Sequence, residues 1–282
     1  MRKESSTAGW IGAVVVVLAI VAAGVYMARK ATHPETPSTV APVASSSVRS
    51  AAPSAPIQHP IGQAGVGPAT ASTAALPALA DSDASVVAAL AGLAEGTDLP
   101  SLLVREQIIA RIVASIDALP RRSQANLLSP LRAPKGAFAV DETDGTTLAG
   151  AQNGARYAPY MRVVDAADPQ ALVAWYVHAY PLFQQAYQEL GYPKGYFNDR
   201  LIVVIDNLLA TPEPAQPSAL ALSKGYYVYT DPAFESLSAG QKLLLRAGPA
   251  SEAKIKAKLR AIRSALTGQV LPGAPATSGS PG

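Results

Sequence analysis

Cysteine is absent from all 282 residues, so no disulfide and no thiolate-bound metal can hold this chain together. Histidine is nearly as scarce. There are three, and His33 and His59 fall in a stretch without aromatics, where they read as solvated. That leaves His178 alone in the aromatic-rich half, as a core or interface histidine. A zinc site normally draws on several His or Cys ligands, so no metal is expected. The chain also lacks a phosphate-cradling glycine-rich loop, a Rossmann fingerprint and a GxSxG nucleophile elbow, and no cofactor is expected either. Charge of one sign is missing as well. The net charge is +3, yet between Leu76 and Val270 there are 18 basic and 18 acidic residues. A balanced domain exerts no long-range pull on nucleic acid, and no nucleic-acid partner is expected.

What is present is unevenly placed. Residues 9–28, GWIGAVVVVLAIVAAGVYMA, carry no charge and as a helix would span about 30 Å, the hydrocarbon thickness of a bilayer. Trp10 and Tyr26 stand near the two ends as interfacial anchors, with Arg2 and Lys3 before the run and Arg29 and Lys30 after it. The nearly symmetric flanks make orientation a weaker reading than the span. The very short cationic N-terminus favours a cytoplasmic tip, with everything after Lys30 outside. A cleaved signal peptide is the rival reading, through the small residues Ala22-Ala23-Gly24. The long apolar run and the Arg29-Lys30 that ends it favour an uncleaved anchor through which the lipid bilayer is a partner. Residues 31–75, almost wholly Ala, Pro, Ser, Thr, Val and Gly, bury too little to order themselves. They read as a disordered linker about 35–40 Å across. Residues 269–282 read as a disordered tail.

Residues 76–268 read as one globular domain, mainly α-helical with one or two small β-hairpins. Asp81-Ser82-Asp83 can cap a helix bearing Val86, Val87, Leu90 and Leu93. Ile108, Ile109, Ile112, Val113 and Ile116 repeat at helical spacing. Asp144-Gly145 is a favoured hairpin turn between short strands at 137–140 and 146–148. The acids Asp141, Glu142 and Asp144 around it do not meet EF-hand spacing and read as a solvated turn. Asp168-Pro169 starts a helix whose pattern meets Pro181, where a kink or restart is expected. That helix closes at Gly191. A second hairpin or strand pair is expected at 219–230 around Lys224-Gly225. Asp231-Pro232 repeats the cap-and-proline start, and Ser238 with Gln241 has capping-box spacing. The last helix carries a stripe of Ile255, Leu259, Ile262 and Leu266. Lys254, Lys256, Lys258, Arg260 and Arg263 beside it read as a solvated outer face.

The chain is organised around Tyr180–Pro214. Fourteen of its seventeen aromatics fall between Tyr157 and Phe234, so the core centres there. Asn198 is placed to cap the apolar helix through Leu209, with Asp199 in its first turn and Arg200 reaching Asp206 or Glu189. Several motifs here resemble a bacterial family of unknown function, number 3014. They are Pro181-Leu182, Gln184-Gln185-Ala186-Tyr187, Glu189-Leu190-Gly191-Tyr192-Pro193, Phe197-Asn198-Asp199-Arg200-Leu201 and Thr211-Pro212-Glu213. Arg156-Tyr157 and Gly240-Gln241-Lys242 match as well. The resemblance implies a membrane-anchored envelope protein of Gram-negative bacteria with one N-terminal span. It implies no activity, substrate or catalytic residue.

Three functions fit the residues. The first is a noncatalytic module in the periplasm, tethered to the inner membrane, that binds an envelope protein or cell-wall polymer through a Tyr-rich surface at Tyr192–Phe197. The second is a peptidoglycan hydrolase or lyase using two of Glu189, Asp199, Asp206, Asp231 and Glu235. The third is a receptor for a small anionic ligand, clamped by Arg156, Arg200 or Arg246. The first is the favoured reading. Its candidate ligand-binding residues are Tyr192, Tyr196, Phe197, Asn198, Asp199, Arg200 and Asp206.

Overall fold

The computed structural model describes residues 56–65, 75–122 and 129–269. The apolar run 9–28, the rest of the expected linker and the tail from residue 270 lie outside the described residues. No described helix is long and apolar enough to cross a membrane. The helices are α1 (Asp83–Leu93), α2 (Leu99–Leu102), α3 (Ile108–Ala118), α4 (Asn153–Ala166), α5 (Pro169–Glu189), α6 (Phe197–Leu209), α7 (Pro232–Glu235), α8 (Ala239–Ala247) and α9 (Pro249–Thr267). Four short strands, β1 (Val140–Thr143), β2 (Thr146–Ala149), β3 (Leu220–Ser223) and β4 (Tyr226–Tyr229), form one antiparallel sheet in the order β1-β2-β3-β4. The fold is mainly α, with this small sheet at one side.

Both hairpins turn at the residues expected. Asp144-Gly145 (φ 51° and 73°) and Lys224-Gly225 (φ 51° and 88°) take the paired positive φ of a type I′ turn, whose twist matches the strands it joins. The first strand runs from Val140 to Thr143 rather than over 137–140, because the two-residue turn fixes Thr143 opposite Thr146. The two hairpins meet through Thr147 and Leu220, which makes one sheet of them.

The core is built on α5. It buries Leu172, Val173, Trp175, Tyr176, Ala179, Tyr180, Leu182, Phe183, Ala186 and Tyr187, residues that face more than one direction. It packs against α3 and α9, and α6 contacts all three. Phe183 stacks on Phe197 of α6 at 5.9 Å, and Tyr176 meets Phe183 edge-on at 5.3 Å. Of the kink or restart expected at Pro181, the restart does not occur, since one helix runs through it from Pro169 to Glu189. Packing holds the helical dihedrals across the single missing amide bond.

Helix caps divide into local and borrowed ones. Asp168 and Asp231 cap α5 and α7, and Ser238 with Gln241 closes a capping box on α8, as the spacing predicts. Asp83 does something else. Its carboxylate accepts from the amides of Gln107 and Ile108, both at 2.8 Å, and so caps α3 from the first turn of α1.

The apolar stripe of α9 is buried as expected. Of its lysines Lys254 is exposed, as expected of a solvated face, but Lys256 is buried and Lys258 half-buried. Lys254 pairs with Asp165 at 2.9 Å, and Lys258 donates to the carbonyl oxygens that end α4. Lys256 is 2% exposed. Its Nζ lies 2.7 Å from Glu213 Oε1 and 2.6 Å from the Thr211 carbonyl. The Glu252 carboxylate, also buried, stands 2.8 Å away but off the hydrogen-bonding direction, so that contact is one of charge alone. The hydrogen bond from Lys256 holds the exposed Glu213 carboxyl below its usual pKa.

Removing Lys256 strands the buried Glu252. Lys256→Ala is expected to cost about 3–5 kcal/mol in urea unfolding. In a Glu252→Gln background that cost should shrink by about 0.5–3 kcal/mol. Equal costs in both backgrounds would show that the pair contributes only packing.

Candidate functional site

The entrance of α6 gathers most of the candidate residues, but not in the roles their order suggests. Tyr196 is the N-cap, in extended conformation, and its side chain does not cap. The first amide, of Phe197, is satisfied from α5 instead. Gln184 Oε1 accepts it at 2.9 Å along with the Tyr180 hydroxyl at 2.8 Å, and Gln184 Nε2 donates to the Gly195 carbonyl at 2.7 Å. With that position filled, Asn198 is free of capping. It is fully buried and donates from Nδ2 to the His59 carbonyl at 2.8 Å, while its Oδ1 is buried without a partner.

The partners of this entrance come from residues 57–65. Asp199 accepts the backbone amides of Gln58 (3.0 Å) and His59 (2.6 Å), and the Tyr196 hydroxyl accepts that of Ile61 at 2.8 Å. A short 3₁₀ turn, Ile61–Gln63, follows, and the Gly65 amide bonds the Ala265 carbonyl on α9 at 2.8 Å. Residues 56–65 therefore depart from the expected linker, and His59 from the expected solvated position. Their order comes from backbone groups meeting fixed acceptors, so it leaves no trace in composition.

Arg200 and Tyr192 belong to a second group centred on Asp117, at the end of α3 and 3% exposed. Arg200 Nε donates to Asp117 Oδ1 at 2.9 Å, and Arg200 also donates to the Asp117 carbonyl. The Tyr192 hydroxyl donates to Oδ2 at 3.2 Å, where Arg121 pairs as well. The partner expected for Arg200, Asp206 or Glu189, is replaced by an acid from another helix. Asp117 had a signal: it falls four residues after Val113, on the apolar stripe of α3, where a charge must be paired. Tyr192 stacks on Tyr187 at 4.6 Å, and burial, aided by the nearby Asp117 charge, raises the Tyr187 pKa.

The Tyr-rich surface narrows accordingly. Phe197 is wholly buried, Tyr196 lies under residue 61, and Tyr192 is 36% exposed. Asp206 stands apart and takes both Nε and Nη2 of Arg263 on α9. The remaining acids are separately engaged. Glu189 accepts from Gln185 and Asp231 caps α7. Glu235 accepts from Lys242 Nζ and the Tyr229 amide, each at 2.9 Å. Burial works to raise the Glu235 pKa, but the bonds from Lys242 and Tyr229 outweigh it and hold the carboxyl below its usual range. His178 Nε2 is buried without a partner, and no cluster of His, Asp or Glu able to hold a metal occurs among the described residues.

Two outcomes follow from this geometry. Arg200→Ala leaves a buried carboxylate with one half-exposed cation, Arg121, and the Tyr192 hydroxyl, and should lower stability by about 3 kcal/mol. Arg121→Ala should cost under about 1 kcal/mol, and similar losses from the two would contradict the central place of Arg200. Asp199→Ala should speed hydrogen exchange at the amides of Gln58, His59 and Ile61 by at least about tenfold while the α5 amides keep their protection. Unchanged exchange at residues 58–61 would mean that Asp199 does not hold them.

Residues 108–263, more than half of the chain, match the model of a family described as Protein of unknown function (DUF3014). The match runs from the start of α3 into α9. It includes Asp117, Tyr192 and the α6 entrance, whereas residues 56–65 precede it. No curated protein and no solved structure matches the chain. With the match covering more than half of the chain, and both the Asp117–Arg200 pair and the aromatic α5 inside it, the chain belongs to the DUF3014 family.

Proposed function

We propose that this is a single-pass inner-membrane protein that presents a noncatalytic binding domain in the periplasm, to an envelope protein or a cell-wall polymer. The membrane part of the reading is supported by residues 9–28, with no charge in twenty residues, aromatics near both ends and basic residues outside them. The short cationic start supports a cytoplasmic tip.

One observation carries the noncatalytic part. A carboxylate hydrolase needs two acids facing one substrate bond, one of them free to exchange a proton. The five candidate acids go to five different sets of partners: Asp199 to Gln58 and His59, Asp206 to Arg263, Glu189 to Gln185, Asp231 to the α7 amides, and Glu235 to Lys242 and Tyr229. Each has a structural task of its own.

Two measurements test this. Alkaline phosphatase fused after residue 60 should be active in cells, and an inactive fusion would overturn the orientation. Purified full-length protein incubated with peptidoglycan should release no soluble fragments. Release that disappears in Asp199→Asn or Asp206→Asn would overturn the noncatalytic reading.

A further inference from the structure

Residues 57–61 lie across the entrance of α6 as a strap, held by the side chains of Tyr196, Asn198 and Asp199. Asp199 accepts the amides of Gln58 and His59, Asn198 donates to the His59 carbonyl, and the Tyr196 hydroxyl accepts the Ile61 amide. All of these bonds go to main-chain atoms. The chain bends at Gln58 and His59, which brings two consecutive amides onto one carboxylate. Pro60 follows at φ −58° and ψ 132°, a polyproline conformation that its ring sets in advance. The entrance therefore reads a main-chain shape and not a set of side chains.

The strap is held lightly. None of residues 56–65 is buried, and Ile57 is 52% exposed. Ile61 and Ala64 rest against the core, so the part before them depends on the bonds to Asp199 and Asn198. A hydrogen bond exchanged with water has a small net worth, which leaves this hold open to competition. The receiving side, by contrast, is fixed from within the domain. Tyr196 packs on Tyr180 at 5.4 Å, Gln184 closes the Phe197 amide, and Asn198 is wholly buried. A preformed site loses little freedom on binding. It is also incompletely filled. The Asn198 side-chain amide faces the strap through Nδ2, and its Oδ1 is buried without a partner. An open buried acceptor favours an occupant that brings one more N–H than the strap does.

We infer that the entrance of α6 binds a proline-containing segment of a partner polypeptide by its main chain, and that residues 57–61 are the competitor this partner displaces. The segment presents two consecutive free amides and a carbonyl before its proline, as Gln58-His59-Pro60 does. Because the strap is tethered, its effective concentration is high, and only a partner that fits better than the strap enters. This rests on the proposed binding role and names its partner as a polypeptide.

The test uses the full chain purified in detergent and a fluorescein-labelled peptide of residues 56–65, PIQHPIGQAG, followed by fluorescence anisotropy. His59→Pro in the protein removes a strap amide and leaves the receiving side chains in place. The peptide should bind this variant saturably and at least about tenfold more tightly than the wild-type protein, since the tethered competitor is weakened. Adding Asp199→Ala should weaken binding at least about tenfold, and adding Tyr196→Phe about threefold. A peptide carrying Gln58→Ala and His59→Ala should bind within about threefold of the original, and one carrying His59→Pro should lose at least about tenfold. No saturable binding to the His59→Pro protein, equal binding to it and to wild type, or indifference to Asp199→Ala overturns the site. Loss of binding with the two alanines overturns main-chain reading. Sedimentation forms a second arm, and a wild-type dimer that His59→Pro dissociates would seat the strap in a second copy and overturn the partner assignment. None of these readouts involves membrane orientation or peptidoglycan, so failure here is distinct from failure of the proposed function.

Discussion

Burying α5 on more than one face is the constraint from which the rest of the described structure follows. A helix with Trp175, Tyr176, Tyr180, Phe183 and Tyr187 turned to several sides cannot leave one face in water, so α3, α9 and α6 pack on it. Burial then makes a bond valuable to each polar group near it, although the Tyr176 hydroxyl, His178 Nε2 and Asn198 Oδ1 go without one. Gln184 makes three, and in doing so closes the first amide of α6. That closure frees Asn198 and Asp199 for residues 58 and 59. The order of residues 56–65 is thus the far end of a chain of polar demands that starts inside the aromatic core.

How much of this was legible depended on whether a residue's partner was close in sequence. Periodicity placed the long helices. Asp168-Pro169, Asp231-Pro232 and the Ser238–Gln241 spacing marked starts that the structure keeps, and both hairpin turns were explicit. Each of these signals is complete within about four residues. The errors share the opposite property. Asp83 and Gln184 cap helices other than their own, Arg200 finds Asp117 eighty-three residues away, and Lys256 finds Glu213 forty-three away. Side-chain type showed that a partner was needed but not which one. The restart allowed at Pro181 failed in another way, because a local rule for ending helices yielded to packing on both sides.

The candidate site was legible in part. Tyr196, Asn198 and Asp199 do act together, although on the chain's own backbone. Tyr192 and Arg200 share a different centre, Phe197 is core, and Asp206 is elsewhere. The balance of 18 basic and 18 acidic residues hid a local imbalance. Arg121 and Arg200 share the single carboxylate of Asp117, while Arg105 and Arg111 donate to backbone carbonyls. Net charge averages over such differences, and only the placement of each acid reveals them.

The docking of residues 57–65 also sets a mechanical length. If residues 9–28 span a bilayer as proposed, the leash between membrane and domain ends at the bond between Gln58 and Asp199, not at residue 76. The roughly 25 residues from 31 to 55 reach at most about 90 Å fully extended, where the 45 from 31 to 75 would reach about 160 Å. Opening the backbone bonds at the α6 entrance, the Gly65 bond to α9 and the turn between them would raise that upper bound by about 70 Å. Tension along the leash would load the contacts of Asp199 and Tyr196 before it reached the core.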